Sequence, residues 1–70
     1  MVYICQQGAR HKPECVFWTG EHWGPVKKLY ADVELACADA RVAARYAVRP
    51  TLVMDGHSVI LRLKPPRSRV

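Results

Sequence analysis

The sequence predicts an α+β domain in which an antiparallel sheet of four to five strands packs against one helix, in the order ββ(β)αββ. Three observations support this class: β-branched and aromatic runs near the N-terminus, an alanine-rich stretch with helical spacing in the middle, and a hairpin pattern near the C-terminus. The chain has 70 residues, half of them hydrophobic, which is enough for one thin core. We therefore expect a single domain over residues 1–64 and a basic, proline-containing tail at 65–70 that is disordered.

The first strands are predicted from β-branched and aromatic residues. Residues 2–5 form one such run and residues 15–18 form another, with a polar loop at 6–13 between them. Trp23 follows the turn-like residues 19–22 and can begin a short return strand before a Gly-Pro pair stops it. These features together indicate an antiparallel meander.

The helix is predicted over residues 32–48. Asp32 is a favoured N-cap, since its carboxylate accepts from the free backbone donors of the first turn, and Glu34 suits the same end of the helix dipole. Six alanines within the stretch favour helix intrinsically. Pro50 forbids its continuation.

Two sides of this helix are candidates for packing on the sheet. Bulky residues recur at Leu35, Val42 and Tyr46, and this stripe is favoured as core because large residues dominate burial. Alternatively the small residues pack on the sheet, which leaves the bulky stripe exposed for a protein partner or a homodimer. The small residues are Val33, Ala36, Cys37, Ala40, Ala43, Ala44 and Ala47.

A C-terminal hairpin is predicted at residues 51–54 and 58–63, which flank the favoured turn pair Asp55–Gly56. Strict alternation along the second strand would separate its side chains into two sets. One set is Val59, Leu61 and Leu63, and the other is Ile60, Arg62 and Lys64.

The formal net charge of +5 is concentrated toward the C-terminus: residues 1–24 sum to zero, residues 25–48 to +1 and residues 49–70 to +4. This asymmetry favours a polyanionic partner or an acidic protein surface, although a soluble surface alone accounts for a surplus of this size. The predicted partner-binding residues are Lys27, Lys28, Arg41, Arg45, Arg62, Lys64, Arg67 and Arg69.

Aromatic residues lie near two of these lysines, a combination typical of nucleic-acid binding, in which bases stack beside positive charge. The alternative is that the aromatic residues fill the core. The sequence leaves both alternatives open for Phe17, Trp18 and Trp23. No zinc finger, RNA-recognition signature or helix-turn-helix supports direct base readout.

No enzyme chemistry, cofactor or metal is predicted. The conceivable zinc ligands lack the tight knuckle of structural sites, and their cysteines are better explained as small buried hydrophobes. Cys37 lies mid-helix, where its thiol gains no activation, and His57 follows a turn. The four conceivable ligands are Cys5, His11, Cys15 and His22.

Three cysteines, an odd number without a close pair, are unusual for a secreted domain of this length. No basic and apolar leader opens the chain, and no apolar run approaches the ~20 residues that span a bilayer. The sequence thus predicts a reducing, cytosolic setting away from membranes.

Two motifs carry a resemblance to a known family. The order Trp-Thr-Gly-Glu-His-Trp-Gly at 18–24, then Leu-Tyr-Ala-Asp at 29–32 and an alanine-rich helix, resembles short phage and mobile-element proteins, among them some anti-CRISPR proteins. The resemblance covers most of residues 2–63. It implies a cofactor-free inhibitor that occupies a surface of a CRISPR effector complex in the bacterial cytoplasm. Many such inhibitors are acidic DNA mimics, and the net charge argues against that mode.

The predicted function is therefore a non-enzymatic binding protein, with subunits of a bacterial CRISPR effector complex as the first choice of partner. The second choice is a stand-alone RNA- or DNA-binding module.

Overall fold

The computed structural model describes residues 1–8 and 17–66, which fold into one antiparallel sheet and one helix and confirm the α+β class. Arg67, Arg69, His11 and Cys15 lie outside the described residues, as does most of the expected tail. The elements are β1 (Val2–Gln6), β2 (Phe17–Trp18), β3 (Trp23–Gly24), α1 (Val33–Ala44), β4 (Thr51–Asp55) and β5 (Ser58–Leu63).

The sheet has the strand order β3-β2-β1-β4-β5, with every neighbouring pair antiparallel. β1 and β4 form its centre and pair over five residues, from Val2 opposite Asp55 to Gln6 opposite Thr51. The opposite edge of β1 pairs with two segments. Cys5 pairs with Phe17 of β2, and Val2 exchanges two backbone hydrogen bonds with Tyr30 (3.1 and 2.7 Å).

The helix begins where the sequence predicts and ends earlier. The Asp32 side chain accepts a 2.9 Å hydrogen bond from the Glu34 amide, which confirms the N-cap. The helix ends at Ala44 rather than at residue 48. Backbone amides of the next three residues bond to the carbonyl three residues back, at 3.1 to 3.2 Å, so the last turn tightens before the chain reaches Pro50.

The small-residue side of α1 packs on the sheet. Ala36, Ala40 and Ala43 are fully buried, so the prediction that Leu35, Val42 and Tyr46 form the core is wrong. Those three side chains are 61%, 46% and 67% exposed. The reason is that large side chains of the sheet and its flanking segments already fill the core, which leaves room for methyl groups only. The large core residues are Val2, Ile4, Trp18, Tyr30 and Val53.

Both tryptophans belong to the core side of the sheet. Trp18 is 2% exposed, and its ring stacks on Tyr46 with centroids 6.3 Å apart and an interplanar angle of 4°. Trp23 meets Trp18 edge to face at 5.4 Å and donates from Nε1 to the Ala43 carbonyl at 3.1 Å. The core alternative therefore holds for Trp18 and Trp23.

A bulge in the hairpin corrects the predicted alternation of β5. Val53 pairs with Leu61 and Met54 pairs with Val59, so Ile60 is an extra residue on β5. Leu61 and Leu63 share one face, as the alternation predicts, and both pack against the core. The extra residue moves Val59 to the opposite face of the sheet, where it is 55% exposed.

Candidate functional site: the open face of the sheet

The helix covers one face of the sheet, and no other helix or strand within residues 1–8 and 17–66 packs on the opposite face. We call that opposite side the open face. Residues directly opposite one another on paired strands share a face, so the register defines its side chains. One row runs Phe17, Cys5, Leu52, Arg62, and a second runs Tyr3, Met54, Val59.

One end of the open face is aromatic and carries a lysine. The rings of Tyr3 and Phe17 meet edge to face, with centroids 6.0 Å apart and an interplanar angle of 69°. Lys27 Nζ lies 4.5 Å from the Tyr3 centroid and 5.5 Å from the Phe17 centroid. A cation over a ring is attracted by about 0.5–1 kcal/mol at an exposed site. The lysine therefore adds a positive charge to the aromatic end of the open face.

The other end of the open face is basic. Arg62 is exposed and donates from Nε to Gln7 Oε1 at 2.8 Å, which holds the guanidinium near the N-terminal part of the sheet. Lys64, two residues further on, is also exposed. Arg62 lies three strand spacings from Phe17 in its row, about 14 Å.

The centre of the open face is apolar. Cys5, Leu52 and Met54 are half-buried, and Val59 beside them on the edge strand β5 is exposed. Burial raises the pKa of the Cys5 thiol, and the charge of Lys27 opposes this only in part. A thiol kept protonated is a weak nucleophile, so Cys5 contributes to this surface as a small hydrophobe.

The predicted basic residues do not form one patch. Lys27, Arg62 and Lys64 border the open face, whereas Arg41 and Arg45 lie on the exposed side of α1. Lys28 points toward the helix. Its Nζ is 5.0 Å from the Tyr30 centroid and 4.0 Å from Asp39 Oδ2.

Sequence reasoning missed Tyr3, Leu52 and Met54. The signal was present: residues 2–5 and 52–54 are apolar at odd and even positions alike. An antiparallel strand with one wet face normally alternates between apolar and polar residues, whereas a strand covered on both faces reads as a continuous apolar run. The two central strands thus have the composition of strands that are covered on both sides.

The other candidate chemical groups can be followed only in the described part of the chain, which excludes His11 and Cys15. Within residues 1–8 and 17–66, no three His, Cys, Asp or Glu side chains lie close enough to hold a metal ion. Cys37 is half-buried against the core, and His57 is exposed in the β4–β5 turn. A shallow depression of about 340 Å³ lies along α1 and opens to solvent. It is lined by Val33, Glu34, Cys37, Ala38 and Arg41.

No protein-family model matches the chain, and neither the curated proteins nor the solved structures include one with significant similarity to it. The search of the described helix for a membrane span was negative, since α1 is too short and too polar to cross a bilayer.

Proposed function

We propose that this protein is a non-enzymatic binding module that docks the open face of its sheet against a partner protein. The observation that carries the proposal is the apolar centre of that face, on two central strands whose composition is typical of strands covered on both sides. A protein partner supplies the missing cover. Cys5, Leu52 and Met54 would then lose their remaining contact with water.

Charge defines the chemistry of the partner. Lys27 lies at one end of the open face and Arg62 at the other, while Lys64 extends the basic border. An apolar centre within a charged border is the usual anatomy of a protein interface, and complementary charge steers the encounter. The partner surface should therefore be apolar at its centre and acidic at its border.

A nucleic acid fits this face less well than a protein does. The rings of Tyr3 and Phe17 beside Lys27 could stack on a base, but they occupy only one end of the open face. The remaining central residues are aliphatic or a thiol, which neither stack on bases nor bind phosphate. A stand-alone nucleic-acid-binding module is thus the outcome that the experiment below must separate from ours.

The resemblance to anti-CRISPR proteins gives the proposal its most specific form. It implies that the partner is a subunit of a bacterial CRISPR effector complex, and that docking inhibits the complex by occupying a surface. The basic border of the open face supports an acidic protein surface as the target, in line with the net charge of +5.

The test is affinity capture from a nuclease-treated lysate of a CRISPR-bearing bacterium, with three charge-matched variants. Lys27→Glu and Arg62→Glu each alter the open face, and Arg41→Glu alters the helix. Each changes the net charge by −2, from +5 to +3. We expect both open-face variants to lose the captured protein at least tenfold, while Arg41→Glu retains it.

Three results would overturn the proposal. The first is equal loss with all three variants, which would indicate a charge effect without a site. The second is no protein captured by the wild type above the open-face variants. The third is tight binding to a free single-stranded oligonucleotide with an affinity that falls steeply as salt rises, since that slope counts phosphate contacts.

A further inference from the structure

The helix carries a second unpartnered surface on the opposite side of the molecule from the open face. Its bulky residues, Leu35, Val42 and Tyr46, form the helix stripe. Tyr46 is held in place because its ring stacks on the buried Trp18. The stripe is therefore an ordered apolar surface with one fixed aromatic side chain, which favours binding because little side-chain freedom is lost.

The spacing of the stripe fits a second copy of the same helix. We propose that two copies pair their stripes antiparallel, about a two-fold axis between residues 39 and 40. That axis places Leu35 of one copy level with the midpoint of Val42 and Tyr46 in the other. Val42 lies in α1 and Tyr46 in the turn directly after it, so Leu35 enters the space between them. Ala38, small and exposed near the axis, lets the helices approach closely.

Charge selects the antiparallel orientation. Glu34 and Arg45 are eleven residues apart, close to three helical turns, so they lie on the same flank of the stripe. The same two-fold axis sets Glu34 of each copy level with Arg45 of the other. In a parallel pair this flank of the two copies would lie on opposite sides of the interface, so Glu34 and Arg45 could not meet across it. The same two-fold axis therefore brings the apolar side chains together and pairs the opposite charges.

The other flank of the stripe carries Asp39, which would face its own copy near the axis. Its charge is already compensated within each copy. The Tyr30 hydroxyl donates to Asp39 Oδ2 at 2.6 Å, and Lys28 Nζ lies 4.0 Å from the same oxygen. Each Asp39 carboxylate near the axis therefore has a lysine of its own copy beside it, which reduces the repulsion between the two carboxylates.

The contact is small, because one twelve-residue helix and the turn after it form it in each copy. It falls at the low end of interface sizes, below about 1,200 Å² in total, and gives a reversible dimer. The open faces remain free in this dimer. It goes beyond the proposed function, since two open faces on one particle can engage two partner sites with increased avidity.

Sedimentation velocity over a concentration series tests the dimer on the purified chain, with no partner present. We expect Glu34→Arg alone and Arg45→Glu alone to weaken self-association at least tenfold, because each sets like charges against one another. An equimolar mixture of the two variants should recover the wild-type dimer, since every cross-pair is then complementary. The double variant with both changes should recover it as well.

Arg62→Glu is the charge-matched control, because Arg62 lies on the open face, away from the helix stripe, and should leave self-association unchanged. Circular dichroism checks that every variant keeps its helix. The proposal is overturned if the wild type stays monomeric up to millimolar concentration, if both single variants dimerise like the wild type, or if their mixture does not recover dimers. None of these results bears on partner binding by the open face.

Discussion

The Tyr30 hydroxyl donates a 2.6 Å hydrogen bond to Oδ2 of Asp39. Tyr30 also exchanges two backbone hydrogen bonds with Val2, so one buried residue ties the first strand of the sheet to the helix. Burial is the main cause that raises the pKa of Tyr30, and the hydrogen bond and charge of Asp39 raise it further. This contact holds the sheet and the helix together, and the raised pKa of Tyr30 makes the stability of the fold depend on pH.

Tyr30→Phe should lower the free energy of unfolding by about 1–3 kcal/mol at pH 7, because a hydrogen bond to a charged acceptor is lost. The substitution should also change how the free energy of unfolding depends on pH above about 10. The folded pKa of Tyr30 is raised, so the unfolded state releases the proton first and wild-type stability falls as pH rises above about 10. Urea unfolding between pH 8 and 11 measures both effects. Tyr46→Phe, which changes an exposed ring, is the control. If Tyr30→Phe lost stability above about pH 10 as steeply as the wild type does, the account would be contradicted.

The orientation of the helix predicts opposite results for two substitutions. Ala40→Leu inserts bulk against the sheet at a fully buried position and should destabilise by about 1–3 kcal/mol or more. Leu35→Ala removes a side chain that is 61% exposed and should change stability by under about 0.5 kcal/mol. Thermal unfolding at a concentration where the chain is monomeric compares them. A larger loss of stability for Leu35→Ala than for Ala40→Leu would show that the bulky stripe, and not the alanine side, packs in the core.

Trp18→Ala should cost about 3–5 kcal/mol, because Trp18 is the largest buried side chain and supports both Trp23 and Tyr46. In a domain of this size that loss removes most of the stability. Phe17→Ala, on the neighbouring residue of the open face, should cost clearly less. Denaturant midpoints of the two variants compare the losses of stability. Equal losses would contradict the account, because they would mean that the two faces of the sheet contribute equally to folding.

Thr51→Val should stabilise the fold by about 1 kcal/mol. Thr51 is fully buried, and its Oγ1 finds no hydrogen-bond partner within residues 1–8 and 17–66, so removing the hydroxyl relieves a desolvation penalty. Thr19→Val is the matched control with the opposite sign, because Thr19 Oγ1 donates to the His22 carbonyl at 3.0 Å. Destabilisation by Thr51→Val in urea titration would show that the hydroxyl is satisfied in solution.

Local signals predicted the elements well. Asp32 caps the helix through a contact two residues away, and Gly56 sits in the hairpin turn with a φ of +63°, a conformation that favours glycine. The packing side of the helix was not predictable in the same way. It depends on the volume that Trp18 and Tyr30 place in the core, and those residues come from other segments.

The candidate site was predictable only in part. The basic residues Lys27 and Arg62 were identified from charge, but their positions at opposite ends of one face depend on the pairing of β1 with β4, about fifty residues apart in sequence. The bulge at Ile60 exposes Val59 on that face, and no turn or periodicity signal marks it. Tertiary register thus decided what sequence patterns left open.

Site-specific photo-crosslinking tests the docking of the open face most directly. A photoreactive phenylalanine analogue replaces Val59 on the open face, or Val48 after the helix as the control; these valines are 55% and 84% exposed. After irradiation in CRISPR-bearing bacterial cells that express the variant, the account predicts a covalent adduct with one cellular protein from position 59 and none from position 48. Equal adducts from both positions, no protein adduct from position 59, or an adduct with nucleic acid alone would contradict it.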